Sequence, residues 1–455
     1  MERRHRYRLS DAEKDALLDD QSALIDAQAA RIKELEAALS APKKTSKNSH
    51  TPPSSGFKGK TSSGKTGKKK PRPSRPGTSR RLADNPDTVL RQQATSCTGC
   101  GADVSNQRQH LRHRYDHVDI PPVTPHTTRI ELMGGRCNGC GCRFRAPPPE
   151  GMKPGTPFGP NIHAFLLYLH HSHHIGFERL SRVMSELFGL KISEGAISNA
   201  FQRMAGPLEK SRDAIRKTLR EAQVIASDET TTRINGQTHW HWVFVSGKAV
   251  LHEIAPRRAK AVAEGVLDGH CPDVWISDRY AGQQEMAGAH QVCLAHVLRD
   301  VQYAIDCGDS VVAPKIRDLL RWTIGIGRRR DTLKDTTLEQ YLGKAERKLD
   351  KLVSVPAAHP DGRVLQKQIK AWRSKFFVFM TDRRVPPTNN ISEREIRPSV
   401  VFRKVTNGFR SDWGASVHAG YRSLTSTAKL NATTAFDAIQ TFVQDALCLT
   451  KAPTT

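Results

Sequence analysis

A multidomain α/β protein is the fold class this sequence predicts, and three observations predict it. The 455 residues exceed a typical domain of about 100 to 200. Abrupt composition changes divide the first half, and the second half alternates short apolar runs with helical periodicity. At 37% hydrophobic residues the chain has enough apolar surface for folded cores, which excludes a wholly disordered protein. The charge, 71 Lys+Arg against 46 Asp+Glu (71 − 46 = +25), predicts a polyanionic partner. The longest apolar runs, such as Ala164 to Leu169, fall short of the roughly 18 residues a membrane span needs, and Met1 to Arg8 is charged with no apolar stretch behind it. The sequence therefore predicts a protein neither inserted in a membrane nor secreted. Nine cysteines, five of them crowded between 97 and 142, suit metal ligation in a reducing compartment and a cytoplasmic location better than a disulfide framework.

Residues 1–40 are predicted as a helix. Leu18, Ile25, Ile32 and Leu39 recur every seven residues, with Leu35 at one intervening position, which is a short coiled-coil seam. Gln21 and Gln28 at the other two such positions leave self-association and a lone amphipathic helix both open. Residues 41–85 are predicted as a disordered basic linker. From Ala41 to Arg80 there are twelve Lys or Arg and no Asp or Glu, in a background of Ser, Thr, Pro and Gly that cannot bury enough surface to order itself. A solubilising tether and a non-specific phosphate-binding arm are compatible readings of it, because each Lys near DNA releases a counterion without needing fixed structure. Subtracting it leaves 25 − 12 = +13, so the folded parts are basic too.

Residues 90–150 are predicted as a zinc ribbon. Cys97-Thr-Gly-Cys100-Gly and Cys137-Asn-Gly-Cys140-Gly are two knuckles of one design, and four thiolates close a tetrahedral zinc site. Strand-like runs at His113 to Ile120 and Thr127 to Met133 lie between them, and Cys142 is a spare candidate ligand. Residues 160–220 read as helices, Ile162 to His174, Phe177 to Leu187 and Glu194 to Met204, with Ser193 as N-cap of the last; the latter pair resembles a helix-turn-helix. His170 and His174 have metal-ligand spacing but no third ligand, so packed or solvated histidines are the expectation.

Strands are predicted at Gln223 to Ser227, Trp240 to Ser246, Ala249 to Ile254, Asp273 to Ser277 and Gln291 to Leu294, with a helix at Ala259 to Leu267. Three consecutive strands, a helix, a strand, a helix and a strand is the order of a ribonuclease-H-like fold, in which the first and fourth strands are neighbours. A long helical stretch follows from Val297 to Met380.

Asp228 and Asp278 each follow a predicted buried strand, so adjacency of those strands sets both carboxylates at one rim of the sheet, as two divalent cations about 3.5 to 4 Å apart require. Glu393 lies in the first turn of a later helix and is the third candidate. Asn390-x-x-Glu393 also matches a capping box, in which the glutamate only reaches a backbone N–H. Cys293 and His296 form a C-x-x-H pair beside the core; with two further ligands needed for zinc, a structural or site-shaping role is the expectation.

Asp228-Glu229-Thr230, Ser277-Asp278-Arg279-Tyr280, Cys293-Leu294-Ala295-His296 and Asn389-Asn390-Ile391-Ser392-Glu393-Arg394, followed by Arg397-Pro398, Arg403-Lys404 and Gly414-Ala415, resemble the DDE transposases of the insertion sequence 66 family. The resemblance covers nearly the whole chain. It implies Asp228, Asp278 and Glu393 as a catalytic triad holding Mg²⁺ or Mn²⁺, with Glu395 the nearest rival to Glu393, and a helical insertion at 297–380 that separates the two parts of the core, 221–296 and 381–455. It further implies metal-dependent cleavage and strand transfer on DNA, with element ends and target DNA as partners, a homo-oligomer and possible accessory proteins. Arg394, Arg397, Arg403, Lys404 and Arg410 form a cationic stretch around the third acid, expected to contact the DNA backbone. An inactive DNA-binding remnant or regulator, and a simple nuclease, are the rival readings.

Overall fold

The computed structural model describes residues 10–40, 42, 44–49, 80–121, 123–152, 155, 157–357 and 359–449. Most of the expected basic linker, 50–79, lies outside the described residues, as do the side chains of Leu35 and Leu39. Helix α1 (Asp11–Ser40) carries Leu18, Ile25 and Ile32 exposed on its surface.

In the cysteine-rich region the strands are β1 (Gly134–Arg136) and β2 (Arg143–Arg145), an antiparallel pair that brackets the second knuckle. The strand-like runs at 113–120 and 127–133 are not strands. They are almost wholly exposed, and with no neighbouring strand to pair with among the described residues, alternation alone does not make a sheet.

Helices α2 (Pro160–His171), α3 (Phe177–Phe188) and α4 (Glu194–Leu219) follow. Ser193 caps α4 as expected, its hydroxyl accepting the Ala196 N–H at 3.2 Å. The helix runs four turns past the expected end at Met204, through Pro207, because Leu208, Ile215 and Leu219 keep one face buried.

The sheet is built from β3 (Val224–Ile234), β4 (Gln237–Val245), β5 (Val250–Ala255), β6 (Val274–Ser277) and β7 (Ala289–Val292), with helix α5 (Lys260–Leu267) between β5 and β6. Its spatial order is β5-β4-β3-β6-β7, antiparallel within the first three and parallel from β3 onward, so the first and fourth strands are neighbours as expected. Asn235 and Gly236, both at positive φ, make the two-residue turn that matches strand twist.

Alternation gives the sheet two apolar faces. Ile225, Trp242, Phe244 and Trp275 pack against Ala263, Val266 and Leu267 of α5. Ala226, Val243, Val245 and Ile276 pack against the helices that follow β7: α6 (Leu294–Asp306), α7 (Val312–Arg329), α8 (Asp335–Ser354), α9 (Pro360–Ala371) and α10 (Val378–Thr381). Gln291 on β7 ties the end of this helical stretch to the sheet, donating to Phe376 O at 3.1 Å and accepting the Phe379 N–H at 3.1 Å. Helix α11 (Asn390–Thr406) then crosses β3 and β4, and α12 (Asp412–Leu430) and α13 (Ala435–Leu449) join α2, α3 and α4 in a third apolar core.

After α11 the chain returns to the sheet at Gly408, whose φ of +103° suits glycine. The flanking bonds, Phe409 N–H to Arg233 O at 2.8 Å and Asn235 N–H to Phe409 O at 2.9 Å, hold this return. A Cβ there would lie 2.5 Å from Arg233 O. Gly408→Ala is expected to destabilise the fold by about 1–3 kcal/mol. Urea unfolding checks this, and an unchanged midpoint would refute it.

Candidate active site

The parallel ladder between β3 and β6 ends at the pair Ala226↔Ile276; two residues on, Asp228 is still within β3 and Asp278 lies just past the end of β6. Because side chains alternate along β3, Asp228 shares the face of Ala226, which the helices after β7 and α11 cover, while the charge of Asp278 reaches both Asp228 and Glu229. Asp228 does not end its strand, contrary to expectation. β4 pairs with β3 as far as Ile234 and satisfies the polar Asp-Glu-Thr run, whereas β6 stops at Ser277 and opens the rim.

Asp228 is held well above the usual carboxylate range, first by burial and then by the charges of Glu229 and Asp278, with Glu393 adding to them. The Glu229 N–H, 2.9 Å from its Oδ1, works in the opposite direction. Asp278 Oδ1 accepts the Tyr280 N–H at 2.8 Å. Glu393 enters from the first turn of α11, and its Oε1 is buried and accepts no hydrogen bond among the described residues. The capping box is not formed: Asn389 is the N-cap and no side chain caps the helix. Asn389 instead donates through Nδ2 to Ser227 O at 2.7 Å and through its backbone N–H to Cys293 Sγ at 3.1 Å, fixing the start of α11 against β3 and α6. Glu395 points elsewhere, 3.9 Å from the guanidinium of buried Arg422.

Glu229, next to Asp228 in the sequence, has a role that no local motif marks. One position along from Asp228, it faces the opposite side of the sheet, 1% exposed, where Arg258 Nε donates to it at 2.7 Å and Gln283 also bonds it. Burial and the Asp278 charge push it up to about 7. Arg258 in turn stacks on the Tyr280 ring, 3.7 Å from its centroid, and the Tyr280 hydroxyl donates to Arg258 O at 2.5 Å. This clamp steadies the backbone that presents Asp278. Its members lie 29 to 54 residues from Glu229 and form no local motif.

Near Glu393, His296 Nε2 lies 3.6 Å from Oε1, and Cys293 sits at the start of α6 with its thiol pushed up to about 11 by burial. Of the cationic stretch, Arg394, Arg397, Lys404 and Arg410 are exposed, while Arg403 is half-buried and donates to Thr231 Oγ1 at 2.8 Å beside the site.

The two cysteine knuckles have the same backbone. Cys97 N–H bonds Ala102 O and Cys137 N–H bonds Cys142 O, each at 2.8 Å, and Gly101 and Gly141 close the turns at φ +75° and +74°. Backbone N–H groups within each loop lower the Cys97 and Cys137 thiols. Among the described residues no three of Cys97, Cys100, Cys137 and Cys140 come within 4.8 Å of one another, and Cys142 is exposed. His170 is packed rather than ligating: its Nδ1 lies 2.7 Å from Ile175 O, it is surrounded by Phe177, Phe201 and Phe402, and burial lowers it to about 4.

The fold and this site define a mixed α/β protein with acidic groups at one rim of its sheet and a further one on the first turn of a helix that follows an all-helical stretch. Residues 155–417 match the family model described as Transposase IS66 family, and since this is more than half of the 455 residues, the chain belongs to that family. No curated protein matches the chain. No helix among the described residues is long and apolar enough to cross a membrane.

Proposed function

We propose that this protein is an active DNA transposase that binds the ends of a bacterial insertion sequence and cuts and joins them by metal-dependent phosphoryl transfer in the cytoplasm. The observation that carries this reading is the approach of Asp278 and Glu393 to Asp228 at one rim of the sheet, where their charges add to burial and to Glu229 in raising Asp228. The sheet order, three antiparallel strands followed by two parallel ones, supports a ribonuclease-H-like core made of residues 221–296 and 381–455 with 297–380 inserted.

The donor set fits Mg²⁺ or Mn²⁺. It is all oxygen, it is crowded enough to repel itself, and it includes a buried oxygen that accepts no hydrogen bond. Asp228, Asp278 and Glu393 would hold the ions, which when bound activate water or a 3′-hydroxyl and stabilise the leaving oxygen. The chain's own residues position and charge this site. Asn389 sets where Glu393 begins its helix, the Glu229–Arg258 clamp holds the Asp278 loop, and Arg394, Arg397, Arg403, Lys404 and Arg410 receive backbone phosphates. The presence of all three carboxylates favours an active enzyme over a DNA-binding remnant. Incubating the purified chain with labelled element ends and Mg²⁺ should give nicked and joined products; neither product at saturating protein would sink the proposal.

The remaining regions have supporting roles in this reading. The 160–220 helices and the 41–85 linker add DNA affinity, the α1 seam joins copies of the chain, and accessory proteins assist. Residues 90–150 hold one structural zinc through Cys97, Cys100, Cys137 and Cys140, supported by two identical knuckles whose backbones already favour thiolate. Cys137→Ser is expected to remove one equivalent of zinc from the purified chain, and unchanged metal content would count against the ribbon.

A further inference from the structure

The ligand atoms of Cys293, His296 and Glu393 all lie within 4.8 Å of one another. They come from two helix starts held together by specific bonds. Cys293 N–H donates to Ser277 O at 2.9 Å, Leu294 N–H to Pro387 O at 3.1 Å, and Asn389 N–H to the Cys293 sulfur at 3.1 Å. The thiol is fully buried, and the imidazole and carboxylate are largely so. One sulfur, one ring nitrogen and one carboxylate oxygen are a donor set that a hard, oxygen-seeking ion such as Mg²⁺ does not select and a borderline ion such as Zn²⁺ does. Three protein ligands with the fourth position left to water is a common zinc arrangement.

We propose that Cys293, His296 and Glu393 form a second zinc site, distinct from the cysteine ribbon, that shares Glu393 with the acidic cluster of Asp228 and Asp278. Binding forms Zn–S, Zn–N and Zn–O bonds and releases the thiol proton to solvent, with no redox change. Because one carboxylate serves both sites, zinc and magnesium oppose each other there: zinc on Cys293 and His296 engages the acid that the magnesium site needs. The competition rests on the proposed function of Glu393, whereas zinc binding itself does not.

The test uses the full chain. After equilibration with Zn²⁺ and removal of excess, Cys293→Ser and His296→Ala proteins should each hold one zinc equivalent fewer than the wild type; equal content would overturn the site. Cobalt guards against misfolding as the cause. A Co²⁺–thiolate absorption band that persists in Cys137→Ser and is lost on adding Cys293→Ser supports the site, and no such band overturns it. Millimolar Mg²⁺ should weaken zinc binding about tenfold in the wild type, and Asp228→Asn with Asp278→Asn should abolish that effect; an unchanged zinc affinity overturns the sharing. A Glu393→Gln protein that still cleaves DNA would refute the third-acid reading while the Cys293 cobalt band still reported on the zinc site, so the two failures are distinguishable.

Discussion

Asp228→Asn, Asp278→Asn and Glu393→Gln are each expected to lower cleavage and strand transfer by at least about a thousandfold, with the triple change little worse than any single one. Each amide keeps the shape and loses the charge, and crowded cations at a phosphate need every anionic ligand. The fold should not suffer. Asp228 is raised above its unfolded value, so its contribution to stability is present at low pH and lost as the pH rises through the folded value. At neutral pH, without metal, an amide at 228 is therefore expected to melt at the same or a higher temperature. End-labelled cleavage assays and thermal melts on the same preparations check both halves. A Glu393→Gln protein that joins ends at near wild-type rate would remove Glu393 from the site and make Glu395 the next residue to test, despite its contact with Arg422.

A loss of stability below pH 6.5 is the second large effect expected. His171, His241, His252 and His418 are buried where α2, β4, β5 and α12 meet. His171 Nδ1 lies 3.2 Å from His418 Nδ1, His418 Nε2 lies 3.2 Å from Ser399 Oγ, and His241 Nε2 lies 3.0 Å from His252 Nδ1. Burial lowers all four and Arg422 lowers each further; neighbouring histidines add to the effect on His171, His252 and His418, and Arg403 adds to it on His241, which falls to about 3. Depressed folded values mean that the stability is complete above the unfolded value near 6.5 and is lost as the pH falls toward the folded ones. Each imidazole still neutral at pH 5 costs about 2 kcal/mol there. Asp228 and Glu229 work in the opposite sense, but they are outnumbered, because His163, His170, His174 and His290 are lowered by burial as well. Melting temperatures from pH 7.5 to 5 should drop steeply in the wild type, and His252→Gln should flatten the profile; a flat wild-type profile would show that these rings do not stay neutral.

Much of the sheet was legible because its strands are short apolar runs separated by turn residues, and their order set Asp228 beside Asp278. Strand length was not legible. Thr230 to Arg233 carry no apolar signal, and only the pairing with β4 makes them strand. The runs at 113–133 show the converse, alternation without a partner. Glu393 could be placed on a helix from sequence, but the choice between ligand and capping box depended on Asn389, whose side chain is committed to Ser227 rather than to the helix start. The histidine chain and the Arg258 clamp escaped because their members come from distant parts of the sequence and are joined only by packing.

Helix α11 is amphipathic in function as well as in packing. One side presents Glu393 to the sheet, and the other carries Glu395, Ser399 and Phe402 into the helical core, against Arg422 and His418. The chain is therefore not modular at the boundary that its order of segments suggests. A fragment of residues 221–406, which looks like a self-contained enzyme core in one dimension, would strip α12 from α11, expose Phe402 and leave Glu395 facing solvent. Exchanging the helical segment between relatives to alter DNA preference would carry the same penalty unless α11 and α12 moved with it, so the helical bundle and the acidic cluster are constrained to change together.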